Sequence, residues 1–488
     1  MGRVERDSLG TLEVPAEAYY GIFTERAKKN FRISGIKSER NFIKALALIK
    51  KAAAAANVDI GILDKKIGEA IVAAASEVAD GKWDSQFPLD VFQAGAGTPF
   101  NMNCNEVIAN VATEKLGGKK GDYSVVHPNN HVNMAQSSND VIPTAIRIST
   151  LFSLQPLMIA LGKLAAEFRK KAEQYKDVVK TGRTHLEDAV PIRFDQVFNS
   201  YAKALDYCAR RIKTAEDSLL QLGIGGTAVG TGINTHPRFK ARVVAKLTEY
   251  TGLKFSVAAD SVLTTWSAAT FLEASNSLRL LATETIKISN DLVLLNSGPK
   301  TAIAEIVLPE VEPGSSIMPG KVNPSVPECA VMVCYQVLGN DYAVAEAAKS
   351  GQMELNVMTP LIGFDLLWSI KLMTNALQML DEFCVKGLVV DAERSQRLLE
   401  KGLSLVTALN PYIGYDVAAE IVKIALKENK PLPQVILENK VMAAEDLGKV
   451  LNAEAMTEPG LIDKMLQQKV HSSEGFKRFR QSLQHSAR

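Results

Sequence analysis

The chain is short of the residues that mark thiol chemistry, metal sites or membranes. Its five cysteines, Cys104, Cys208, Cys329, Cys334 and Cys384, are scattered, odd in number and form no CxxC pair. No disulfide framework or thiolate metal site is encoded, and the thiols read as reduced and cytoplasmic. His127 and His131 are four apart, but they flank the turn signal Pro128-Asn129-Asn130 and have no acidic or thiol partner at ligand spacing, so no metal site is expected. Excess charge of one sign is missing too. A net charge of +2 with the signs mixed argues against a nucleic-acid or membrane partner, and the basic run Lys477-Arg478-Phe479-Arg480 reads as a solvated end. No membrane-length run is free of charge: the stretch from Leu151 to Phe168 holds Lys163 and Glu167. The charged opening from Met1 to Asp7 leads into no apolar signal segment.

What the chain does have is apolar helical sequence. Hydrophobic residues make up 47% of 488 positions, enough for roughly three hydrophobic units. Helical spacing of apolar residues occurs at 41–56, 64–79 and 103–114, and over longer stretches at 143–179, 192–221, 260–295, 325–348 and 360–384. The expected fold class is mainly α, a subunit of three regions: a mixed, mainly helical region 1–140, a central long-helix bundle 141–395 and a small helical region 396–488. The run Ala52 to Ala56 predicts a helix lying close to a neighbour. Such apolar bundle helices bury more than one face, so self-association is expected.

Chemically useful side chains cluster in four polar loops between these helices. The first, Gly95-Ala96-Gly97-Thr98-Pro99-Phe100-Asn101-Met102-Asn103, offers Thr98 and Asn101 to a carboxylate, with Asn103 as the cap of the next helix. The second runs from His131 to Asp140, where Ser137, Ser138 and Asn139 precede a helix beginning near Pro143; helix N-termini favour anions. The third, Thr181 to Pro191, sets His185 among polar groups, able to exchange a proton near neutrality. Thr184 beside it suits a carboxylate, and Glu187 or Asp188 suits the imidazole. The fourth is Gly314-Ser315-Ser316-Ile317-Met318-Pro319-Gly320-Lys321-Val322-Asn323-Pro324. Its serine can move a proton, its lysine can neutralise a carboxylate and its glycines bring backbone N–H groups close to a ligand. The glycine-rich stretch from Gly223 to Gly232 has neither dinucleotide nor phosphate-loop spacing. It reads as a close-packed turn, with Thr227 and Asn234 as candidate lining residues.

In this order the segments Gly97-Thr98 with Asn101-Met102-Asn103, Gln136-Ser137-Ser138-Asn139-Asp140, Gly182-Arg183-Thr184-His185 and Gly314 to Pro324 resemble the aspartase/fumarase superfamily, over nearly the whole chain. The resemblance implies a homotetramer around a central helix bundle, with composite active sites drawing loops from three subunits. It implies β-elimination from a small succinyl-type dicarboxylate, releasing fumarate. Ser315 then matches the general base, and Thr98, Ser137, Ser138, Thr184, His185, Lys321 and Asn323 match residues that bind substrate and stabilise the intermediate. No cofactor is required, although some aspartases are activated by magnesium. Tyr19-Tyr20-Gly21-Ile22, Asp188-Ala189-Val190-Pro191 and Gly351 to Met358 favour an aspartate ammonia-lyase. Gly320, Ser137-Ser138 and Gly226-Thr227-Ala228-Val229-Gly230 are closer to class II fumarase, the alternative. Pro99-Phe100 departs from both groups and puts the pocket beside Thr98 in question. An inactive helical scaffold is the reading from a different class; it predicts degraded polar loops, and these are intact.

Overall fold

Helices carry the structure, as expected, and strands occur only as two-stranded pairs among the described residues. The computed structural model describes residues 2–486. The chain divides into two units, one of Met1–Gly162, Asp206–Ile286 and Cys329–Gln378, the other of Lys163–Leu205, Lys287–Glu328 and Met379–Arg488.

In the first unit, the helices Arg40–Asp59 and Lys65–Ala79 pack as the alanine run predicts. Ala52, Ala53, Ala56, Ala74 and Ala75 are all fully buried. Gly68 completes the contact, since a Cβ there would fall 2.2 Å from Val58 Cγ2. The long helix Ser138–Gln174 begins five residues before Pro143 and carries Pro143 and Pro156 inside it. It starts early because Ser137 and Asp140 close a reciprocal cap: Ser137 Oγ accepts the Asn139 N–H at 3.2 Å, and Asp140 Oδ1 accepts the Ser137 N–H at 2.9 Å. Among the described residues it is the one helix long and apolar enough to cross a membrane, with a mean hydropathy of 1.4 over its most apolar stretch, although no charge-free run of that length was expected. That stretch is 61% buried inside the protein, as befits a core helix.

The remaining long patterns form with shifted ends. The expected helix 260–295 is two, Ser261–Trp266 and Ala269–Leu295, broken at Ser267, whose hydroxyl accepts the Ala269 N–H. Ser325–Ala348 forms as expected, and Thr359–Leu380 ends in a π-turn, Asp381–Val385. Two buried polar links fix helix register in the first unit: Ser275 Oγ donates to Asp341 Oδ1 at 2.6 Å, and Asn340 Nδ2 donates to Ser369 Oγ at 3.0 Å.

The second unit departs most from the helical reading. Residues 179–193 form an antiparallel hairpin, Val179–Thr184 with Glu187–Arg193, where a loop was expected. Toward the C-terminus, short helices enclose a separate core that includes Leu409, Ile421, Val435, Ile436 and Phe476.

Candidate active site

The first unit carries one set of the expected residues. Thr98 opens the helix Thr98–Lys115, so the helix starts five residues before Asn103. Gly97 caps it with φ of 79°, and Pro99 follows Thr98 near the start, where a missing N–H costs nothing. Asn103 therefore caps nothing; its amide donates to Gln86 O at 2.9 Å. Thr98 and Pro99 face a cavity of about 730 Å3 whose wall includes Arg6, Arg26 and His127. Phe100, two positions on, turns to the opposite side of the helix. It stacks edge-on against Phe42, centroids 5.4 Å apart. Of the unusual Pro99-Phe100 pair, only the proline shapes the space beside Thr98.

Asn101 is 1% exposed. Its amide donates to Asn133 Oδ1 at 3.2 Å and to Ser138 Oγ at 3.1 Å, so it supports the second loop from below. Asn139 donates to Ala228 O at 2.7 Å. Asp140 Oδ2 accepts the N–H groups of Gly225 and Thr227, both at 2.9 Å, pinning the glycine-rich turn to the serine loop. That turn is close-packed as expected: a Cβ on Gly230 would sit 2.4 Å from Val262 Cα. Thr227 is buried with φ of 57°, and its hydroxyl has no partner among the described residues. Burial raises the Asp140 carboxyl to about 6, against the pull of its N–H donors.

Beneath this loop lies a residue that the sequence reading passed over. Lys50 is fully buried, and its ammonium donates to Asn133 Oδ1 at 2.8 Å and Gln136 Oε1 at 2.9 Å. Desolvation pushes its pKa down to about 7. The only local signal is a lysine directly after the run Leu46-Ala47-Leu48-Ile49.

The second unit carries the other set. Thr184 and His185 stand exposed at the hairpin tip, where His185 and Leu186 take φ of 58° and 64° between the paired Thr184 and Glu187. Two such residues make the mirror-image turn that suits hairpin twist, usually filled by glycine or asparagine. Glu187 and Asp188 lie on the returning strand, paired with Thr184 and Arg183, and among the described residues no hydrogen bond joins either to the imidazole.

The 314–324 loop closes on itself. Asn323 Nδ2 donates to Gly314 O at 2.5 Å, and Lys321 Nζ donates to Asn323 Oδ1 at 2.6 Å. A Cβ at Gly314 would lie 2.3 Å from Lys321 O, so only glycine permits the closure. Inside it, Ser315 Oγ accepts the Met318 N–H at 2.9 Å and the Ile317 N–H at 3.3 Å. Two N–H groups aimed at one hydroxyl oxygen favour its negatively charged form. The donors belong to Ile317 and Met318, not to the glycines. The loop is largely exposed, leaving the Lys321 ammonium within reach of a carboxylate. Among the described residues, no group of three or more His, Cys, Asp and Glu is arranged to hold a metal ion.

The family described as "Lyase" matches residues 10–339, and the one described as "Fumarase C C-terminus" matches residues 405–458. An aspartate ammonia-lyase of Bacillus subtilis (strain 168) is 45% identical over 96% of this chain and 98% of its own length. A class II fumarate hydratase of Bradyrhizobium diazoefficiens is also 45% identical, over 94% of this chain and 97% of its own. The crystal structure of a fumarate lyase:delta crystallin from Brucella melitensis, bound to cobalt, superposes with a TM-score of 0.91 at 43% identity, covering 94% of this chain and 100% of that one. The chain belongs to the lyase family that holds the aspartate ammonia-lyases and class II fumarases.

Proposed function

We propose that this protein is an ammonia-lyase converting L-aspartate to fumarate and ammonia. The observation that carries the reading is the Ser315 hydroxyl, held in a closed loop under two backbone N–H donors at 2.9 and 3.3 Å. A serine is a poor base at its ordinary pKa, and preorganised donors are what make its alkoxide accessible. Ser315 takes the proton from the substrate carbon beside the β-carboxylate. The electron pair moves into that carboxylate as a doubly charged aci-carboxylate, then returns to form the double bond as the amine leaves the neighbouring carbon. Thr98, Ser137, Ser138, Thr184, Lys321 and Asn323 bind the two carboxylates, and His185 binds or relays a proton. Each donor aimed at the developing charge contributes about 3–4 kcal/mol in sites of this kind. The proposed steps need no organic cofactor; magnesium activation is tested by adding the metal and a chelator.

Assembly belongs to the same reading. Met332, Tyr335 and Tyr342, exposed by 70%, 59% and 69%, form a stripe along the Ser325–Ala348 helix. Such a face suits a homotetramer, in which loops of three subunits complete each site. Regions 1–140, 141–395 and 396–488 each supply part of that subunit, and four buried free cysteines suit a reducing cytoplasm.

The 45% identity to a fumarate hydratase favours one second reading, hydration of fumarate to L-malate. Initial rates of fumarate formation from L-aspartate and from L-malate decide between them. Turnover of aspartate alone supports the proposal, turnover of malate alone replaces it with the second reading, and turnover of neither overturns both.

A further inference from the structure

Two segments of the second unit carry chemistry, the hairpin with Thr184 and His185 and the loop with Ser315. Both trace back to one residue. Glu305 is wholly buried, and its carboxylate takes Lys180 Nζ at 3.0 Å and both terminal nitrogens of Arg183 at 3.0 to 3.1 Å. Lys180 and Arg183 lie three apart on one strand and would face opposite ways if it were regular. The pairing is not regular. Thr181 pairs with Pro191 and Arg183 with Asp188, so two residues of the second strand oppose Gly182 alone. A bulge of this kind sharpens local twist, and a Cβ on Gly182 would lie 2.5 Å from Val190 O. The twisted strand delivers both cations to one carboxylate, and the next two residues are Thr184 and His185.

The backbone of Glu305 is fixed as firmly as its side chain. Its N–H donates to Leu295 O, and its carbonyl accepts the Asp391 N–H, both at 2.9 Å. The chain then runs through the strand Ile306–Val307, paired with Val389–Val390, and Leu308, whose N–H donates to Asn296 Oδ1 at 3.0 Å. Seven residues later it reaches Ser315.

We propose that Glu305 is a positioning residue for the reaction: through Arg183 and Lys180 it aims the Thr184–His185 tip, and through its backbone it sets the root of the Ser315 loop. The proposal rests on the reading of the protein as a β-eliminating lyase, and adds a residue that touches no substrate. Arginine's planar fork is what a bidentate grip on this carboxylate requires, so lysine at 183 keeps the charge but loses the aim.

The test uses Arg183→Lys and Arg183→Gln in the full-length protein, because each leaves Glu305 paired with Lys180. Glu305→Gln would strand two buried cations and risks failing to fold. Both Arg183 variants should keep the wild-type oligomeric state and lower kcat at least 30-fold, with KM changed less than fivefold. In a His185→Asn background, Arg183→Gln should cost less than threefold further, since the tip it aims is already disabled. Hydrogen exchange of 183–187 should rise at least tenfold in Arg183→Gln, while that of 404–450 stays at the wild-type rate. Wild-type kcat in a folded Arg183→Gln protein, fully multiplicative effects in the double variant, or unchanged exchange at the tip would each overturn the proposal. The exchange readout needs no turnover, so it still judges the positioning role if aspartate and malate both prove not to be substrates.

Discussion

Lys50→Met should leave the protein at least as stable as the wild type at pH 7 and make it a worse enzyme. Among the described residues, the fully buried ammonium of Lys50 donates only to the amide oxygens of Asn133 and Gln136; Cys104 and Asp140 are the titratable groups that act on it. Its drop from 10.5 to about 7 corresponds to on the order of 5 kcal/mol of desolvation carried by the charged form, at about 1.4 kcal/mol per pH unit. Methionine removes that burden. It strands Gln136 Oε1 at a cost of about 1–3 kcal/mol, while Asn133 Oδ1 keeps the Asn101 amide at 3.2 Å. The balance favours the variant by about 2–4 kcal/mol. The sign of the pH dependence follows from a folded pKa below the unfolded one. Between about pH 7 and about pH 10 the unfolded chain holds the proton that the folded chain has released, so wild-type stability climbs with pH relative to the variant. Below about pH 7 the two curves run parallel, with the wild type at its greatest disadvantage. The activity falls because Asn133 and Gln136 shape the loop bearing Ser137 and Ser138, and a 1 Å misplacement there costs about 100-fold. Denaturant unfolding from pH 6 to 10, with steady-state kinetics beside it, makes the comparison. A variant less stable than the wild type at pH 7, or one with wild-type kcat/KM, would refute the reasoning.

Two other perturbations bear on the loops of the first unit. The Asp140 carboxyl titrates at about 6 because it is buried, so its ionised form is lost as pH falls through that value and its hold on the Gly225 and Thr227 N–H groups weakens. KM should rise below pH 6, and Asp140→Asn should show a high, pH-independent KM across pH 5 to 8; a wild-type KM in that variant contradicts the assignment. Phe100→Leu should cost about 1–3 kcal/mol of stability, from lost packing on Phe42, and leave the ratio of aspartate to malate turnover unchanged. A changed ratio would mean that Phe100 reaches the substrate after all.

The long helices were legible because apolar residues three and four apart mark a buried stripe whatever the tertiary setting. Their ends were not, because caps are local. Gly97, with its positive φ, started a helix five residues before Asn103, and the Ser137–Asp140 cap overrode the expected start at Pro143. The hairpin at 179–193 escaped because Thr181-Gly182-Arg183-Thr184 shows no apolar alternation. Its turn also places His185 and Leu186 where glycine or asparagine would have signalled it. The chemically apt loops were visible as clusters of Ser, Thr, Asn and Lys, and the loop at 314–324 could be singled out from its composition alone. The residues that hold those loops were not visible. Lys50 and Glu305 are buried charges whose partners come from distant sequence, and nothing near them in the chain records the pairing; Asp140 ended a visible cluster and caps Ser137 locally, but its hold on the distant Gly225 and Thr227 left no sign there. Asn101 sat in a visible cluster, but only its contacts with Asn133 and Ser138 show that it braces the loop.

Single-turnover formation of fumarate from L-aspartate by Ser315→Ala, with dicarboxylate affinity measured on the same protein, tests the central claim most directly. Among the described residues, Ser315 Oγ is bonded only to N–H groups of its own loop, so the variant should fold and bind the dicarboxylate within a few-fold of wild type. Its rate of fumarate formation should fall by about 1,000-fold or more, the scale of losing the group that takes the proton. Fumarate formation within tenfold of wild type, with binding intact, would contradict the account and move the base to another residue.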